Sequence, residues 1–216
     1  MAPPGRSGHT LVYDSARGRA VLFGGSPADL QHFADTWEWD GTTWTPGPPG
    51  PSQRWRHGAA YDPVRGRVVL HGGQQDTFAG PITMTDTWEY DGMSWVQRLP
   101  ANLPRSETQH ALAFDAALGR VILYGGRTEI PGHLVSETWA WDGTDWSLRA
   151  SVGVPARTYF ALSCDATRQR VVLFGGALEG LGNDPYEYYG DTWVPNRQLA
   201  RAARKIPAYR RRCAAV

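Results

Sequence analysis

Lysine is almost missing from this 216-residue chain: its single copy is Lys205, close to the end. Basic charge is otherwise carried by arginine, whose planar fork suits fixed, bidentate contacts. Acidic residues are missing from the far end: none follows Asp191, although seven basic residues do. The net charge of +1 hides this division. Removing those seven from the 22 basic residues leaves 15 against 21 acids. A mildly acidic body gives no electrostatic footprint for nucleic acid. Cysteine is scarce, and the two present, Cys164 and Cys213, stand in unrelated contexts that give no disulfide framework. No apolar run approaches the roughly 20 residues of a membrane span. Met1 to Arg6 has no apolar signal region. The chain as written reads as cytoplasmic, and an upstream segment would make it extracytoplasmic. P-loop, dinucleotide, paired-Cys zinc and nucleophile–base motifs are all lacking, so no catalytic residue and no cofactor is expected.

What is abundant is tryptophan, ten residues in all, and it recurs in a pattern. "DTWEWDGTTW" (Asp35 to Trp44) returns as "DTWEYDGMSW" (Asp86 to Trp95) and "ETWAWDGTDW" (Glu137 to Trp146), and begins again at Asp191. Each copy follows an apolar run that ends in a glycine pair: Gly24-Gly25, Gly72-Gly73, Gly125-Gly126 and Gly175-Gly176. Before each run stands "HTLVYD", "HGAAYD", "HALAFD" or "FALSCD". A period of about 50 residues is the mark of a propeller-type repeat. Each unit reads as four strands. The first two form a hairpin, the second is apolar on both faces, and the third carries aromatics at alternate positions. Asp-Gly then turns the chain, and Trp opens the fourth strand. Nine of the ten Trp fall at equivalent positions, with Trp55 the exception. The repeated Trp are therefore expected to pack the core, and their Asp and Gly neighbours to turn the chain.

These features resemble the kelch repeat, in its bacterial form, from about residue 4 to residue 193. The leading arginines Arg6, Arg54, Arg105 and Arg157 belong to the same resemblance. It implies an all-β propeller of four-stranded antiparallel blades around a central channel, similar in architecture to the central domain of galactose oxidase. The expected blades are about 4–49, 50–100, 101–151 and 152–193, with 194–216 a basic Arg/Ala tail. The last blade is expected to be incomplete, because Pro195 stands where Trp39, Tyr90 and Trp141 stand in the others. Asn196 would cap a short helix in the tail. A tail that binds an acidic partner, self-association through the open blade, and a shifted reading frame in a GC-rich gene all fit this end of the sequence.

Kelch propellers include both binding modules and enzymes, so the site must decide. The reading here is a non-catalytic binding or scaffold module whose variable loops recognise a protein or a glycan. The alternatives are a metal- or sugar-dependent enzyme with its site at the channel mouth, and an inactive fragment of a longer propeller. Candidate binding residues are Trp55 and Arg56, beside the channel end of the second blade, and Tyr186, Tyr188 and Tyr189, in the fourth loop. His9, His57 and His110 share a repeat position and are the candidate metal ligands. The competing reading has them bonding locally and packing between blades, as Phe160 at the fourth position suggests. The four arginines are expected to bond carbonyls of the next blade.

Overall fold

The computed structural model describes residues 1–27, 31–128, 133–150, 154–179, 186–188 and 192–193. Every regular element among them is a β-strand. The first sheet holds β1 (Thr10–Asp14), β2 (Arg19–Phe23), β3 (Thr36–Trp39) and β4 (Trp44–Pro46) in that order. The second holds β5 (Gly58–Asp62), β6 (Arg67–Thr77), β7 (Gly80–Tyr90) and β8 (Trp95–Arg98). The third holds β9 (Ala111–Asp115), β10 (Arg120–Tyr124), β11 (Thr138–Trp141) and β12 (Trp146–Ala150). In the fourth, β13 (Ala161–Asp165) and β14 (Arg170–Phe174) are followed by a ribbon of β15 (Ala177–Glu179) and β16 (Tyr186–Tyr188). Then β17 (Thr192–Trp193) pairs with β14. All pairings are antiparallel, and the first strands of successive sheets lie side by side, β1 on β5, β5 on β9 and β9 on β13. This is an all-β propeller whose fourth blade is incomplete among the described residues. The segment 194–216, with Pro195 and Asn196, lies outside them.

Local chemistry explains the repeat. The Asp that ends each first strand caps the hairpin: Asp14 accepts from the Ala16 and Arg17 amides, and Asp62 from those of Val64 and Arg65. The glycine pair is required by both conformation and space. Gly24 and Gly25 have φ of 63° and 99°, and a Cβ on Gly24 would sit 2.7 Å from the Arg54 carbonyl of the next blade. That close approach lets the Gly25 amide donate to the Arg54 carbonyl, and the Gly73 amide to Glu107 in the same way.

The two Asp of the tryptophan motif have different jobs. Asp40 and Asp91 are turn residues, each accepting two backbone amides. Asp35 and Asp86, expected as turn residues, instead take an arginine fork and the indole N–H of Trp37 or Trp88. The arginines also differ from expectation. Arg6, Arg54 and Arg157 bond the glycine-pair carbonyl of their own blade, not of the next. Arg105 does not take this place: its side chain is 80% exposed. Two extra residues precede His110, so Glu107 holds the backbone position of Arg54 and Arg105 is pushed outward.

The core consists of layers between blades. Val21, Tyr61, Val68 and Tyr90 seal the first junction, and Ala60, Val69, Leu112, Val121, Trp141 and Trp146 the second. Ala113, Ile122, Ala140 and Val171 fill the third. In the second and third tryptophan motifs the second aromatic is the fully buried one, Tyr90 and Trp141 at 1% and 0% exposure, while Trp88 and Trp139 are half-buried; in the first motif Trp37 is buried and Trp39 only partly so. The segment 74–85, expected as a variable loop, is largely strand: β6 and β7 pair out to Thr77 and Gly80, and the Thr77 hydroxyl closes the tip on the Gly80 carbonyl.

Candidate functional site

Four residues just before the inner strands share a left-handed backbone: Gly8 (φ 62°), Arg56 (φ 56°), Gln109 (φ 59°) and Tyr159 (φ 54°). The geometry serves the ring. The Arg56 amide donates to the Gly8 carbonyl at 2.8 Å, and the Gln109 amide to the Arg56 carbonyl at 2.9 Å. Glycine meets this demand at little steric cost, and other residues pay for it. Three of the four blades nevertheless carry a large side chain there.

Arg56 and Gln109 line a cleft of about 650 Å³ between the second and third blades. Thr83, Thr108, Gln74, Arg127 and Thr128 add to its polar lining, and Pro81 and Ile82 form an apolar wall on the long β6–β7 hairpin. No acid lines it. Among the described residues, the Gln109 Oε1 is buried with no hydrogen-bond partner. Guanidinium, amide and hydroxyl groups around an apolar wall suit a carboxylate, a sugar or a peptide edge. Phe78, at the tip of the same hairpin, is fully exposed.

The expected binding pair separates. Arg56 reaches the cleft, whereas Trp55 supports it from behind, with the guanidinium 3.7 Å from the Trp55 ring centre and His32 stacked at 5.6 Å. The Trp55 backbone bridges to Gln74 as Ser7 bridges to Ser26 and Thr108 to Arg127, so Trp55 does occupy a repeat position. Tyr186 and Tyr188 lie on β16, and Tyr189 is outside the described residues.

The three equivalent histidines do not share one environment. His9 is exposed. His57 is buried, its Nε2 2.9 Å from the Thr10 hydroxyl of the first blade. His110 is buried, its Nε2 3.1 Å from the carbonyl of His71 in the second blade. Burial lowers the His57 pKa well below its ordinary value and pushes His110 down to about 4, so both imidazoles are neutral. Among the described residues, no three His, Cys, Asp or Glu side chains are placed to hold a metal ion.

Gln109, Arg127 and the hairpin wall escape a motif search, because none belongs to the conserved-looking part of the repeat. Comparing the copies at the residue before His9, His57, His110 and Phe160 would have drawn attention to Arg56, Gln109 and Tyr159, since the first copy has Gly8 there. In comparisons with known proteins, no family model matches the chain and no curated protein matches it.

Proposed function

We propose that this chain is a kelch-type propeller acting as a non-catalytic binding module, with the cleft of Arg56 and Gln109 between the second and third blades as the place where a protein or glycan ligand is held. The observation that carries this reading is the left-handed backbone at both residues. Such strain costs about 1 kcal/mol or more per residue, and a structural role alone would be served as well by glycine. The two left-handed side chains converge on one cleft, with donors from three chemical classes and an exposed phenylalanine beside it. The test is binding of glycan and peptide panels to the immobilised protein and to its Arg56→Ala and Gln109→Gly variants. A bound ligand is expected to lose tenfold or more in affinity with either change, while the melting temperature does not fall. Ligand binding that survives both substitutions overturns the reading.

A further inference from the structure

The two end faces of the blade stack expose residues that the internal junctions bury. In the first blade, Leu11 and Tyr13 are 56% and 62% exposed. Their counterparts Leu112 and Tyr61, which face a preceding blade, are 6% and 8% exposed. In the fourth blade, Phe174 is 55% exposed, against 2%, 0% and 1% for its counterparts Phe23, His71 and Tyr124.

The internal junctions show what these residues fit. At the first, Trp95 packs on Phe23 at 5.1 Å and donates its indole N–H to the Thr36 hydroxyl. At the second, Trp146 packs on His71 at 5.3 Å and donates to Thr87. Tyr61 of the second blade lies beside Asp14 of the first, and burial and that carboxylate raise its phenol pKa. The same parts stand unused at the ends. Trp44 is the first-blade copy of Trp95 and Trp146, and it packs on Trp39 at 5.4 Å with the rings tilted by 44°, as Trp146 does on Trp141 at 5.3 Å and 43°. Phe174 is the fourth-blade copy of Phe23, and Thr192 faces it in the register that Thr36 holds opposite Phe23. Tyr13 copies Tyr61, and Asp165 copies Asp14.

We propose that a second copy of this chain covers both faces, the first blade of each copy packing on the fourth blade of the other, so that two four-bladed chains close into one ring. Trp44 then packs on Phe174, and Tyr13 meets Asp165, in the geometry of the internal junctions. Such a contact joins unlike surfaces, and it ends at two copies because the second contact closes the ring.

The test is mass in solution, by light scattering and sedimentation, of the full chain and of Leu11→Asp and Phe174→Asp, both substitutions at exposed sites. The chain is expected to run at twice its own mass, and each variant at its single mass with its circular dichroism unchanged. An equimolar mixture of the two variants keeps one intact junction and is expected to regain the double mass in part. A wild-type chain that stays single at tens of micromolar overturns the proposal. So does a pair that survives Phe174→Asp, which marks two like faces in contact, and so do open-ended multimers.

Discussion

Glu89 concentrates the polar side of a junction in one carboxylate. It is 2% exposed and receives Arg65, Arg98 and the Trp141 indole N–H of the next blade, the last at 2.8 Å. Removing one member of a buried charged network leaves the others uncompensated. Glu89→Ala is expected to cost about 3–5 kcal/mol, read as a fall in urea midpoint at unchanged slope. The buried histidines predict a different response. His57, His71 and His110 are held neutral by burial, their pKa values depressed. On acidification the unfolded chain takes up protons first, so stability is flat above pH 7 and falls between about 6.5 and 4. With a folded value of about 4, His110 alone accounts for about 3 kcal/mol by pH 4. An acid titration of the melting temperature that stays level down to pH 4 contradicts this. Gln109→Gly relieves a left-handed side chain and is expected to raise stability by about 0.5–1 kcal/mol.

At the scale of the element, strand order, hairpin turns and glycine pairs were legible, because each leaves a periodic trace: apolar runs, Asp caps and paired Gly recur in every copy. The β6–β7 extension was not. Residues 74–85 occur once, so no repeat flags them, and their pairing depends on register with the partner strand more than on composition. The cleft was half legible. Arg56 stood out as unusual, but its Trp55 support and its Gln109 neighbour come from the packing of two blades. The roles of Asp35 and Asp86 were hidden too, since an Asp before Thr-Trp looks the same whether it turns a chain or receives an arginine. The extended hairpin gives its own expectation. Phe78 touches solvent on all sides, so Phe78→Ala should move stability by less than about 0.5 kcal/mol. Ligand affinity should nevertheless fall if the hairpin forms the wall of the binding cleft.

At the scale of the molecule, cohesion passes only between neighbouring blades, as in other repeat arrays. Amide exchange is expected to be slowest in β6 and β10, between fully sealed layers, and faster in β13, whose outer face is open. The junctions are also not alike. The first two use an Arg–Glu pair, Arg17 with Glu38 and Arg65 with Glu89. At the third, Leu118 and Ala140 stand in those places and pack with Ile122 and Val171. This decides how the array can grow by copying. A second blade inserted after itself would meet its own complement, Tyr90 and Trp95 finding Glu89 and Thr87. A third blade copied in tandem would bury the Trp141 indole N–H against Ala140, a donor with no acceptor, at a cost of about 1–3 kcal/mol. Lengthening the chain by duplicating residues 50–100 should therefore preserve its melting temperature, whereas duplicating 101–151 should lower it.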